Sequence, residues 1–192
     1  MRILLFCGAA VAALFANTAS AQDAPFTGPR VEAVIGYDHI PVEGEKFEGF
    51  LYGGIIGYDY QIGSAVFGIE AEASGSTLKA SEEDEEVSGE LRAGRDLYIG
   101  ARAGYAVSSE AMLYAKVGYT NARVEATYDD GEDEYEDHAT IDGFRVGAGL
   151  EYKITPSVHL KTEYRYSNYS ELEDLEIDLD RHQLMAGVGI RF

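Results

Sequence analysis

Residues 144–166 read FRVGAGLEYKITPSVHLKTEYRY, and this stretch decides the fold. Before the Ile154-Thr155-Pro156-Ser157 break, Phe144, Val146, Ala148, Leu150 and Tyr152 alternate with Arg145, Gly147, Gly149, Glu151 and Lys153. After it, Val158, Leu160, Thr162, Tyr164 and Tyr166 alternate with His159, Lys161, Glu163 and Arg165. A period of two marks extended strands, because successive side chains of a strand point to opposite faces. The Pro-Ser break between them marks a tight turn. The segment is therefore a hairpin with one apolar face and one face of charges and glycines.

The same unit recurs. Short polar turns stand at Gln61–Ser64, Val107–Glu110 and Ile154–Ser157, about 46 residues apart, each between two alternating stretches. The remaining strands begin with Arg30–Asp38, whose apolar face is Val31, Ala33, Ile35 and Tyr37, and Phe50–Tyr60, with Phe50, Tyr52, Ile56, Tyr58 and Tyr60. Phe67, Ile69, Ala71 and Ala73 mark the third strand, Leu97 to Tyr105 the fourth, and Leu113 to Tyr119 the fifth. The last runs from Leu184 to Phe192. Residues 50–69 form an apolar window with one charge, Asp59, but its glycines and central Gln-Ile-Gly-Ser predict two strands and a turn rather than a helix.

Eight strands of about ten residues have the length that crosses a bilayer at a tilt. An even count puts both termini on the side of three short turns, with four long loops opposite. In a soluble barrel the apolar face would point inward. Two features predict the inverse. Aromatics gather near both ends of the apolar face: Tyr58, Tyr60, Tyr105, Tyr152 and Phe192 at the turns, and Tyr37, Phe50, Tyr52, Phe144 and Tyr164 toward the loops. Such girdles mark the two membrane interfaces. The charged face also carries many glycines, as a narrow lumen packed with long ionic side chains requires. The expected fold is an all-β, eight-stranded antiparallel up-and-down transmembrane barrel over residues 29–192.

The N-terminus fits an exported chain. Arg2 precedes an apolar run from Ile3 to Ala16, then Ala19-Ser20-Ala21, a small-x-small cleavage site. This predicts a signal peptide over residues 1–21, cut after Ala21, and a flexible lead-in over 22–28. The single cysteine, Cys7, lies in the apolar run, so the mature chain has no disulfide. A net charge of −19 excludes nucleic-acid binding, which needs clustered cations.

The chain closes on Leu184, Ala186, Val188, Ile190 and Phe192, alternating apolar residues ending in phenylalanine. This resembles the C-terminal assembly signal of outer-membrane barrels. With the Gly57-Tyr58 and Gly104-Tyr105 pairs at strand ends, the chain is similar to the small "porin family" barrels, related in form to the OmpA transmembrane domain and to opacity-type surface proteins. The resemblance covers about residues 28–192. It implies an outer-membrane location, contact with outer-membrane lipid and lipopolysaccharide, and recognition of the last strand by the barrel assembly machinery. A monomer is expected, and an OmpA-style tether to the cell wall is not implied.

The predicted lumen side chains are Glu32, Glu70, Glu72, Arg102, Lys116, Arg145, Glu151, Lys153, His159, Lys161, Glu163, Arg165 and Arg191. An eight-strand interior is only just wide enough for its own side chains, and buried charges persist when paired. An ion-pair network that stiffens the barrel is therefore expected; a gated, cation-preferring pore is the alternative. Acidic runs at Glu82–Glu86, Asp129–Asp137 and Glu171–Asp180 fall in the loops without the ligand spacing of a calcium loop. His39 and His138 are expected in loops, His159 just inside a turn, and His182 at the start of the last strand. None has a serine two residues away on the same face, so no catalytic residue, metal or cofactor is expected. The expected role is structural and surface-exposed, with a narrow channel or a loop-borne adhesin as the other readings.

Overall fold

The computed structural model describes residues 24–42, 45–77, 79–84, 87–129, 134–169 and 179–192. All regular structure among them is strand: β1 (Gly28–Val42), β2 (Glu45–Ile62), β3 (Ala65–Ser76), β4 (Lys79–Asp84), β5 (Val87–Ala106), β6 (Ala111–Asp129), β7 (Glu134–Lys153), β8 (Val158–Tyr169) and β9 (Leu179–Arg191). Chain neighbours other than β3 and β4 pair antiparallel, and β1 pairs with β9 to close the sheet. Both β3 and β4 pair with β5, so β4 continues β3 as one stave. The result is a closed eight-stave barrel, which leaves no sheet edge unpaired in lipid.

The three turns recur for local reasons. Gly63 adopts a positive φ of 61° between Ile62 and Ala65, as a two-residue hairpin turn demands. The Ser108 hydroxyl accepts from the Glu110 and Ala111 amides at 3.1 and 3.0 Å. Thr155 Oγ1 does the same for Ser157 and Val158 at 3.3 and 2.9 Å. Hydroxyl residues at matching places satisfy turn amides that the ladder leaves free.

Two differences from the sequence reading stand out. The strands run to 20 residues in β5 and β7, twice the expected length, and the surplus lies at the loop end. A backbone ladder continues past the bilayer whatever the side-chain polarity. His39 and His138 accordingly sit in β1 and β7, opposite Glu48 and Glu125, rather than in loops. Residues 24–28 pack against the turn end of the barrel. Phe26 is fully buried; its amide donates to Gln61 Oε1 at 3.0 Å, and its carbonyl accepts from Arg191 at 2.8 Å. The signal-peptide residues Ala19 and Ala21 lie outside the described residues.

Candidate functional site: a charge-filled lumen

Strand parity sorts the side chains into two populations. Ile35, Phe50, Ile56, Ile69, Ile99 and Leu184 are all at least 60% exposed, although they are among the most apolar residues present. Tyr58, Tyr60, Tyr105, Tyr152, Tyr164 and Phe192 point outward with them, as do Val188 and Ile190. Charged residues of opposite parity are buried. The apolar surface therefore faces out and the ionic surface in, the reverse of a soluble barrel.

The lumen holds one connected ion-pair network. At the turn end Arg191 reaches Glu151 at 2.6 Å and Asp59 at 2.5 Å. Arg102 bridges the same two acids, at 2.5 Å to Asp59 and 3.0 Å to Glu151. Arg30 meets Asp59 at 3.0 Å and Glu32 at 2.7 Å, and also pairs with Glu70. Halfway up, Lys116 lies 2.8 Å from both Glu70 and Glu163, and Lys161 lies 2.8 Å from Glu32. Above them Arg165 binds Glu72 at 2.6 Å and Arg145 binds Asp96 at 2.5 Å. Arg181 finishes the chain, reaching Asp96 at 3.1 Å and pairing with Asp38.

The balance is exact in number. Among the described residues the buried cations are Arg30, Arg102, Lys116, Arg145, Lys161, Arg165, Arg181 and Arg191. The buried acids are Glu32, Asp38, Asp59, Glu70, Glu72, Asp96, Glu151 and Glu163, so eight face eight. A low-dielectric interior tolerates charge only in such compensated form.

Two tyrosines cross the lumen between these layers. Lys116 Nζ lies 4.5 Å from the Tyr98 ring centre, and the Arg102 guanidinium lies 5.0 Å from that of Tyr114. Tyr114 donates to Glu163 at 2.7 Å. Glycines leave room for the rings. A Cβ on Gly118 would meet Tyr98 at 2.8 Å, and one on Gly149 would meet the Tyr114 hydroxyl oxygen at 2.7 Å. Apolar clusters fill the remainder: Val34, Leu51, Ile55 and Met185 in one, and Phe26, Val66, Met112 and Tyr114 at the turn end.

The structure brings Glu32, Glu70, Glu72, Arg102, Lys116, Arg145, Glu151, His159, Lys161, Glu163, Arg165 and Arg191 into this network. It sets Lys153 apart, at the mouth, where its ammonium donates to the Pro25 carbonyl at 2.8 Å. Sequence reading missed Arg30, Asp38, Asp59, Asp96 and Arg181 as members. Their parity was the available signal: Asp59 stands between Tyr58 and Tyr60, and Asp38 shares its face with Glu32.

Glu32, Glu151 and His159 come within 4.8 Å of one another, a spacing that would suit a metal. Their oxygens are already committed. Arg30 and Lys161 neutralise Glu32, Arg102 and Arg191 neutralise Glu151, and His159 Nε2 lies 3.0 Å from Glu32. A divalent ion would meet four cations, so the trio belongs to the ion-pair network. Near the loops, the Tyr164 hydroxyl and His182 Nδ1 are 2.7 Å apart with their rings stacked. Of the acidic runs expected in loops, Glu82–Asp84 fall in β4, Asp129 in β6, Glu134–Asp137 in β7 and Asp180 in β9, because the ladders extend past the bilayer, and positions 85–86, 130–133 and 171–178 lie outside the described residues.

Comparison with known proteins agrees with this geometry. The chain is 29% identical over 147 residues to the 25 kDa outer-membrane immunogenic protein of Brucella canis, covering 73% of this chain and 64% of that one. It is 31% identical over 144 residues to the 22 kDa outer membrane protein of Rhizobium leguminosarum bv. viciae, covering 71% and 63%. The matched region thus spans a little under two thirds of these relatives. In fold it is similar to Ail, the attachment invasion locus protein of Yersinia pestis, solved with the heparin analogue sucrose octasulfate. The TM-score is 0.58 at 16% identity, over 86% of this chain and 99% of Ail. The family described as outer membrane protein beta-barrel domain matches residues 8–192. An apolar outer wall, a closed sheet and these relatives lead to one assignment: the chain belongs to the outer-membrane β-barrel protein family and resides in the outer membrane.

Proposed function

We propose that this protein is a non-catalytic, non-conducting wall element of the outer membrane, contributing to envelope integrity and presenting acidic loops at the cell surface. One observation carries this reading: among the described residues, eight buried cations and eight buried acids, linked from Arg191 to Arg181, fill the lumen and cancel in charge. A cation-preferring pore needs uncompensated acids along its path, whereas here each acid is held by a guanidinium or an ammonium. Phe26 adds an apolar stopper at the turn end. The aromatic rings Tyr58, Tyr60, Tyr105, Tyr152, Tyr164 and Phe192 then serve as interface anchors. The last strand, with Leu184, Ala186, Val188, Ile190 and Phe192 facing outward, is suited to capture by the barrel assembly machinery during insertion. The histidines support no catalytic role, since His159 is tied to Glu32 and His182 to Tyr164.

Planar-bilayer recording tests it. The wild-type protein and Glu70→Lys are expected to give no discrete conductance, with Glu70→Lys losing its heat-stable compact gel form at a lower temperature. Discrete channels in wild type, or channels opened by Glu70→Lys without loss of stability, would make the network a gate and sink the structural reading.

A further inference from the structure

Residues 24–28 do more than fill the turn-end mouth. The Thr27 amide donates to the Ala24 carbonyl at 3.0 Å, closing a β-turn with Pro25 at its second position, where the fixed φ of proline fits. Gly28 then lets the chain pass hard against the last residue. Its φ is +133°, and a Cβ there would collide with the Phe192 carbonyl oxygen. The segment so placed is tied to strands around the mouth. The Phe26 amide donates to Gln61 Oε1 of β2, and the Gln61 amide donates to Thr27 Oγ1, both at 3.0 Å. Lys153 of β7 donates to the Pro25 carbonyl at 2.8 Å and lies 5.7 Å from the Phe26 ring centre. Arg191 of β9 donates to the Phe26 carbonyl at 2.8 Å. The ring itself packs with Val66 of β3 and with Met112 and Tyr114 of β6.

The same place is the turn end of the seam between β1 and β9, the pairing that joins the two ends of the chain and closes the barrel. Arg30 and Arg191 are register partners there, and like charges directly opposite weaken a ladder. Asp59 offsets this by reaching both, Arg30 at 3.0 Å and Arg191 at 2.5 Å. Past that row the Phe192 amide donates to the Pro29 carbonyl at 2.9 Å. Phe26 reinforces the joint from inside, because it holds Arg191 while being anchored on β2 and β7 rather than on β1 or β8, the neighbours of β9. For β9 to leave β1, its end must pull Phe26 away from Gln61 and Lys153. The anchors come from different strands, so the seat exists once those strands are assembled. A β9 freed from β1 would be an open sheet edge, able to pair with another strand.

We propose that residues 24–28 are a strap that seats after the barrel has closed and locks the β1–β9 seam, so that no other strand pairs with the end of β9 until Phe26 is withdrawn. A stopper blocks the mouth, whereas a strap fixes where the barrel opens first; conductance reads the one and opening kinetics the other. The test uses the protein refolded into phosphatidylcholine vesicles. Unfolding and refolding rates in urea are followed by heat-modifiable gel mobility, and hydrogen–deuterium exchange of the native state by mass spectrometry. Phe26→Ala is expected to unfold at least about a hundredfold faster while its refolding rate stays within about twofold, the signature of contacts made after the transition state. Its exchange is expected to rise more in residues 29–33 and 187–192 than in residues 113–119 of β6, because opening starts at the seam. Met112→Ala empties part of the same apolar cluster but leaves the ties to Gln61, Lys153 and Arg191, so exchange in residues 187–192 is expected to stay at the wild-type level. Lys153→Met keeps Phe26 and cuts the tie to Pro25. It is expected to speed unfolding at least about fivefold, and it decides the matter if Phe26→Ala does not fold. Unchanged unfolding in Phe26→Ala, refolding slowed in proportion to the stability lost, exchange rising equally in β6 and β9, or a matching rise at residues 187–192 in Met112→Ala would each overturn the proposal.

Discussion

Asp59 is the most heavily used acid of the lumen, and replacing it with asparagine isolates what the network contributes. Arg30 reaches it at 3.0 Å, Arg102 at 2.8 and 2.5 Å, and Arg191 at 2.5 Å, with no solvent exposure at the carboxylate. Asparagine keeps the shape and one acceptor oxygen, so packing is preserved while the charge is lost. Four charge-assisted hydrogen bonds at about 1.5–3 kcal/mol each set an upper bound near 6–12 kcal/mol. The loss is smaller, because Glu32, Glu70 and Glu151 still hold the same guanidiniums. Breaking a buried pair while its partner stays behind costs about 3–5 kcal/mol, and that is the expected destabilisation. It is measured by equilibrium urea unfolding in phospholipid vesicles, followed by far-ultraviolet circular dichroism and by gel mobility. Adding Arg102→Met to Asp59→Asn removes one stranded cation, so the double variant should recover about 1–3 kcal/mol relative to additivity. A single variant within about 0.5 kcal/mol of wild type, or strict additivity in the double, would refute the claim that paired charge holds the lumen together.

Other expectations follow from the same geometry. Gly118→Ala should lower stability by about 2 kcal/mol or more in the same unfolding assay, because its Cβ would press on the Gly100 backbone at 2.5 Å as well as on the Tyr98 ring; Gly54→Ala, with open space, should be neutral. Phe26→Ala should cost about 3 kcal/mol and expose the turn-end mouth to protease, while bilayer recordings stay silent because the ion pairs above it remain. At the loop rim, hydrogen bonds from Tyr166 and Asn168 hold the Asp180 carboxyl below its ordinary range. The folded value is depressed, so its stabilisation is present above the usual carboxylate range and is lost as pH falls through the folded value. Tyr166→Phe should raise the Asp180 titration midpoint, read by carboxyl NMR.

Much of this structure was legible because a barrel wall has only two faces. Once FRVGAGLEYK alternates, every residue of the strand is assigned inward or outward, and the sign of the inversion follows from where the tyrosines gather. Parity reaches only as far as strand boundaries are known, however. Arg30 and Asp38 sat at the ends of their stretch and were overlooked, and Asp59 was seen as an interruption in an apolar window rather than as a lumen acid. The extra length of β5 and β7 left no side-chain signature, because in water the ladder is held by backbone groups that every residue carries. Phe26 was invisible for a different reason. Its burial depends on Gln61, Arg191 and Lys153 converging from three distant strands, a tertiary fact that no local pattern encodes.

The charge distribution connects the lumen to the surface. The chain carries −19 overall, yet the buried charges among the described residues cancel, so the excess is carried by residues other than these sixteen. Self-repulsion that would strain a compact interior is thereby absent from the described lumen, where every acid has a cation to meet.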